Sequence, residues 1–83
     1  MKESTTIQEK FGLRVKELRK AKKLSQEKLA YKADIDRTYM TSLENGKRNV
    51  SIANIEKVIK ALDVSFEEFF NAVQFKVTSK SDR

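Results

Sequence analysis

The sequence contains no cysteine, histidine, proline or tryptophan, and only two glycines in 83 residues. Without cysteine the chain forms no disulfide, and without thiolate or imidazole ligands it cannot build the common zinc sites. Without histidine or cysteine, catalysis would need a carboxylate pair or a lysine in a pocket, and no spacing in the sequence indicates either, so the composition disfavours an enzyme and indicates no cofactor. A chain this short that lacks such links commonly gains stability by associating with a second copy.

Long apolar runs are missing as well. No segment approaches membrane-spanning length, and residues 1–23 lack the hydrophobic stretch of a secretory signal. The sequence therefore predicts a cytoplasmic protein with no membrane partner.

Positive charge is concentrated near the N-terminus. The chain has 18 basic and 12 acidic residues, for a net charge of +6. Residues 1–23 hold eight basic and three acidic side chains, whereas residues 51–83 hold five of each. A basic half beside a neutral half favours a surface that meets a polyanion, although a solvated lysine-rich surface would have the same net charge.

Apolar residues recur at helical spacing and nowhere alternate cleanly, which predicts an all-α fold of five short helices. Each helix is expected to follow a residue that commonly caps helix N-termini: Thr5 or Thr6, Ser25, Asp36, Ser51 and Ser65. The first helix should run to about Lys22. The second should span Gln26 to about Lys32, and the third Arg37 to about Asn45.

We expect residues 1–77 to form a single domain and the polar residues 78–83 to form a flexible tail. The apolar stripes of the first and fourth helices are predicted to face inward, and the fifth helix carries an apolar stripe at the same spacing. Their members are Ile7, Phe11, Val15 and Leu18, then Ile52, Ile55, Val58, Ile59 and Leu62, and finally Phe66, Phe69, Phe70 and Val73.

The C-terminal part holds more large apolar residues than a small core needs. Phe66 and Phe69 are expected to belong to the core. Phe70, Val73 and Phe75 are predicted to form a homodimer interface, because the charge of this region is balanced. The alternative is that all of these residues lie in the core.

The short connection between the second and third helices, about Ala33 to Ile35, predicts a helix-turn-helix. Asp34 tolerates the left-handed conformation that such a turn needs, and Gly46 is placed to end the third helix in the same conformation. At 100° per residue, Met40 and Leu43 share the buried face of the third helix.

The opposite face of the third helix is polar without being lysine- or glutamate-rich. Its members are Thr38, Thr41, Ser42 and Asn45, flanked by Arg37 and Tyr39. Side chains of these types read base edges in the DNA major groove, mainly from the N-terminal part of a helix. An ordinary surface helix is the alternative for this face taken alone.

The residues from Leu24 to Val64 resemble the helix-turn-helix family of the lambda and 434 phage repressors. The matching features are Ser25-Gln26-Glu27, Leu29-Ala30, Ile35, Leu43-Glu44-Asn45-Gly46 and Ala61-Leu62-Asp63-Val64. Within that family, "DRTYMTSLENGKRNVSIANI" is most similar to the controller proteins of restriction–modification systems. Two positions depart from the family pattern, since Asp34 replaces a common glycine and Val50 a common proline.

The resemblance implies a five-helix lambda-repressor-like domain and a role for each matching residue. Arg37, Thr38, Tyr39 and Ser42 match positions that read bases. Gln26, Asn45, Lys47, Arg48 and Asn49 match positions that bind the DNA phosphates. Arg19 and Glu44 match a partly buried structural salt bridge.

The resemblance also implies a transcription regulator that binds double-stranded DNA at a near-palindromic operator as a homodimer. A controller protein would in addition contact RNA polymerase, for which Glu27 or Asp34 is the candidate. Two alternatives remain open from the sequence: a phage-type repressor, and an antitoxin whose main partner is a toxin protein.

Overall fold

A computed structural model describes residues 5–76, and within that range the chain folds into five α-helices and one 3-10 helix with no β-strand. The α-helices are α1 (Ile7–Ala21), α2 (Gln26–Ala33), α3 (Arg37–Glu44), α4 (Ile52–Ala61) and α5 (Phe66–Phe70); the 3-10 helix is Val73–Phe75. The predicted all-α fold of five helices is confirmed. The predicted tail, residues 78–83, lies outside the described residues. No helix within residues 5–76 is long and apolar enough to cross a membrane.

Each α-helix begins at a predicted capping residue. The Thr6 hydroxyl accepts from the N–H of Glu9 (3.1 Å), and the Glu9 carboxylate accepts from the N–H of Thr6 (2.9 Å), which completes a capping box. Ser25, Ser51 and Ser65 each accept from the N–H three residues further on. These bonds fix where each helix starts, and therefore which side chains share a face.

The core lies where the five α-helices meet. α2 packs against both α3 and α4, and α1 crosses α3. The largest fully buried side chains are Val15, Leu29, Met40, Leu43, Val58, Ile59, Leu62 and Phe69. The crossing of α1 and α3 is closest at Gly12, where an added Cβ would lie 2.3 Å from the carbonyl oxygen of Leu43. Only glycine fits this crossing.

Three residues predicted to be buried are exposed. Ile7 and Ile52, the first residues of α1 and α4, are 63% and 85% exposed, because the apolar stripe of each helix extends beyond the surface that neighbouring helices cover. Phe66, expected in the core, is 46% exposed at the start of α5. Phe69 is fully buried, as predicted.

The predicted helical run from Phe66 to Val73 is interrupted. α5 ends at Phe70, and Ala72 is extended (φ −145°), so Val73 belongs to the separate 3-10 helix and is 81% exposed. Arg14 of α1, which the sequence did not single out, holds the end of α5. Its Nε donates to the carbonyl of Phe69 (2.7 Å) and its Nη2 to that of Glu68 (2.8 Å).

Candidate nucleic-acid interface

The turn between α2 and α3 has the predicted geometry. Asp34 adopts the left-handed conformation (φ 57°, ψ 48°), and the N–H of Ile35 donates to the carbonyl of Ala30 (2.9 Å). The Asp36 carboxylate then accepts from the N–H groups of Thr38 (2.9 Å) and Tyr39 (3.3 Å) to start α3. The turn and the cap together set the angle at which α3 leaves α2.

One side of α3 is anchored in the protein interior. Met40 and Leu43 are 0% and 1% exposed, as predicted from their spacing. Glu44, one residue further, is also buried. A helix held along one side in this way cannot rotate, so the remaining side chains point in fixed directions.

The outer side of α3 carries the residues predicted to read bases. Arg37 and Thr38 are exposed at its N-terminal end. Tyr39 and Ser42 are half-buried. Thr41, expected on the outer face, is also half-buried, because its hydroxyl is turned toward α2. The structure therefore places Arg37 and Thr38 at the outermost part of the helix.

The loop after α3 places its polar residues beside that face. Gly46 is left-handed (φ 74°), as predicted, and the N–H of Lys47 donates to the carbonyl of Ser42 (2.9 Å). The four loop residues predicted to bind phosphates are all exposed: Asn45, Lys47, Arg48 and Asn49. The guanidinium carbon of Arg48 lies 4.7 Å from the centre of the Tyr39 ring, a cation–π contact that the sequence did not predict.

Gln26 lies at the start of α2, where it faces α3. Its amide nitrogen donates to Glu44 Oε1 (2.9 Å), and its amide oxygen accepts from the Thr41 hydroxyl (3.0 Å). These contacts cross between helices over 18 and 15 residues of sequence. No local pattern could have indicated them.

The predicted Arg19–Glu44 salt bridge is present and buried. Arg19 Nε donates to Glu44 Oε2 (2.6 Å) and Arg19 Nη2 to Glu44 Oε1 (3.0 Å), a bidentate pair. The side chains are 10% and 1% exposed. Arg19 Nη1 also donates to the carbonyl of Leu24 (2.8 Å). The pair ties α1 to α3, which is a structural role.

A short α2, a tight left-handed turn and an α3 with an exposed polar side together define a helix-turn-helix protein. Accordingly, the helix-turn-helix family model matches residues 15–69 of the chain.

The relatives narrow this class further. Control protein C.MunI from Mycoplasma sp. is 48% identical over 69 residues, which are 82% of this chain and 93% of that protein. The restriction-modification controller protein C.AhdI from Aeromonas hydrophila is 51% identical with a TM-score of 0.72, over 76% of this chain and 96% of that one. The controller protein C.Esp1396I has been solved as a tetramer in complex with its natural 35 base-pair operator. Its sequence is 37% identical to this one with a TM-score of 0.76, over 81% of this chain and 88% of that one.

The chain belongs to the helix-turn-helix family and, within it, to the controller proteins of restriction–modification systems. The resemblance drawn from its sequence is thereby confirmed.

Proposed function

We propose that this protein is a sequence-specific transcription regulator that binds a near-palindromic operator with α3 in the major groove. The observation that carries the proposal is the division of α3 into a buried side, with Met40 and Leu43, and an exposed end, with Arg37 and Thr38. Arginine can bond two acceptors of guanine at once, and threonine can bond a base edge or touch a thymine methyl. The operator-bound relative C.Esp1396I supports the same use of the fold.

Affinity in this proposal comes from the phosphates around the reading helix. Lys47 and Arg48 are exposed beside α3, and the N-terminal end of α2 presents backbone N–H groups. Cationic contacts of this kind displace counterions, so binding should weaken steeply with salt. Arg48 also contacts the Tyr39 ring, which links the phosphate-binding loop to the residues that read bases.

We further propose that two copies bind together, with one α3 in each of two major grooves about 34 Å apart. Exposed apolar residues near the C-terminal part supply a surface for the second copy. Phe70 is 39% exposed and Val73 81% exposed, whereas Phe75 is half-buried against the core. Phe66 adds to the exposed set. Phe70 also lines an open apolar cavity of about 210 Å³ beside the loop after α3.

Contact with RNA polymerase belongs to the same proposal. Glu27 and Asp34 are exposed on α2 and in the turn, on elements next to α3. The proposal requires that these carboxylates stay accessible when α3 lies in a groove, and a basic polymerase surface would complement them. Such a protein works in the cytoplasm of a bacterium, where the DNA lies.

Variants of Arg37 test the proposal. The operator would first be located by footprinting the DNA just upstream of this gene. Arg37→Ala should then weaken operator binding and reduce discrimination at one base pair by about 1–3 kcal/mol. Arg37→Lys keeps the charge but loses the planar fork, so it should lose the same discrimination while keeping the salt dependence. Binding to each single-base operator variant is measured by fluorescence anisotropy.

Lys47→Ala is the matched control, because Lys47 is also exposed but lies in the loop. It should weaken binding to all sequences alike. The slope of log affinity against log salt concentration should become shallower by about one, because one phosphate contact is lost. If Arg37→Ala also lowers affinity equally for every sequence, Arg37 is a phosphate contact and its assignment to base reading is wrong.

A further inference from the structure

The amide of Gln26 is clamped between two side chains of α3. Thr41 donates its hydroxyl to the amide oxygen (3.0 Å), and the amide nitrogen donates to Glu44 Oε1 (2.9 Å). Gln26 is half-buried at the first position of α2, next to the outer surface of the helix-turn-helix. Its side chain therefore has one defined position where a flexible glutamine would otherwise sample several.

The chemistry of Glu44 decides which way the amide faces. Both carboxylate oxygens of Glu44 already accept bonds from Arg19, so both act as acceptors. The amide must therefore turn its nitrogen toward Glu44, which leaves its oxygen facing Thr41. The Thr41 hydroxyl has one proton, which it can donate to that oxygen, and the carbonyl of Arg37 (3.1 Å) is the alternative acceptor for the same proton.

One donor of the amide remains for an external group. An amide nitrogen carries two hydrogens, and within residues 5–76 Glu44 is the acceptor for one of them, while no side chain or carbonyl accepts the other. We propose that Thr41 is a positioning residue for operator binding, which fixes the Gln26 amide so that its second N–H meets a DNA phosphate. This inference rests on the proposed function and on the resemblance by which Gln26 matches a phosphate-binding position.

The test is a double-mutant cycle on the full chain bound to its operator. Thr41→Val keeps the shape of the side chain and removes the hydroxyl, so operator binding should weaken about two- to tenfold. Gln26→Ala should weaken binding at least as much. The double variant Gln26→Ala/Thr41→Val should bind no more weakly than Gln26→Ala, because Thr41 acts through the amide that is already missing. Thr41→Ser keeps the hydroxyl and should therefore bind the operator with near wild-type affinity.

Two further readouts separate positioning from a loss of stability. The contact is neutral, so Thr41→Val should lower affinity without changing the salt slope, unlike Lys47→Ala. Thermal unfolding of each variant confirms that binding is measured on folded protein.

Additive losses in the cycle, or wild-type affinity in Thr41→Val beside weak binding by Gln26→Ala, would overturn the inference and leave the proposed function intact. If Gln26→Ala itself binds like wild type, the phosphate contact and the role of Thr41 are both wrong. If the wild-type protein binds no duplex with sequence preference, the proposed function fails.

Discussion

Replacing Glu44 by alanine should remove a large part of the stability of the fold. The Glu44 side chain is 1% exposed and accepts three hydrogen bonds, two from Arg19 and one from Gln26. In Glu44→Ala the guanidinium of Arg19 keeps its bond to the carbonyl of Leu24. Its other donors are left facing a cavity inside the protein, and so is the Gln26 amide.

The expected loss follows from that geometry. Removing one partner of a buried ion pair costs about 3–5 kcal/mol, because the remaining charge stays buried without compensation. A chain of this length has a total free energy of unfolding of about 4–12 kcal/mol. Glu44→Ala should therefore lose about a quarter or more of its stability, and its Tm should fall by about 12 °C or more.

Urea unfolding followed by far-UV circular dichroism measures this loss. Protein concentration must be held constant, because association with a second copy stabilises the folded state. Glu44→Gln keeps the shape of the side chain and should lose less. The pair Arg19→Met/Glu44→Leu removes both charges and should be more stable than either single change. A loss of less than about 1 kcal/mol in Glu44→Ala, with the same dependence on urea, would refute this account of the pair.

Two other predictions test the packing and the dimer surface. Gly12→Ala should destabilise the protein by about 1–3 kcal/mol in urea unfolding, because the new Cβ would lie 2.3 Å from the carbonyl oxygen of Leu43. An unchanged midpoint would contradict the close crossing of α1 and α3. Val73→Asp should shift the protein from dimer to monomer in sedimentation at micromolar concentration without loss of helix content. Tyr31→Asp is the control, because Tyr31 is 82% exposed on α2 and should leave association unchanged; equal behaviour of the two variants would contradict a dimer surface at Val73.

Much of the fold could be predicted because it is encoded locally. Caps such as Thr6 and Asp36 act within three residues of chain, and their bonds form as expected. The left-handed conformations of Asp34 and Gly46 follow from the short turn and the helix end that each completes. The burial of Met40 follows from helical periodicity, which is the same in any protein.

The missed features depend on how far one element covers another. Periodicity identifies the apolar side of α4, but it does not show that Ile52 extends past the neighbouring helices. The bonds from Arg14 to the end of α5 join residues more than fifty positions apart, and such pairings are set by tertiary packing. Two further left-handed residues, Lys23 and Asp63, were also missed. Lysine seldom adopts this conformation, and Asp63 lies outside the helix-turn-helix whose short turn indicated it at Asp34.

In the candidate site, too, some features are set by the local sequence and others by tertiary packing. Arg37 and Thr38 are exposed, so side chains there can change with little effect on folding, typically within about 0.5 kcal/mol. Glu44 instead connects the Gln26 amide to its buried salt bridge with Arg19, and Thr41 holds the oxygen of the same amide. In the proposed function, sequence preference can therefore vary at the exposed end of α3, while the direction in which that end points is fixed by contacts that also stabilise the fold. A change in operator specificity is then expected at the side chains that face the groove and not at the contacts of Thr41 and Glu44, because a change in those contacts would cost both affinity and stability.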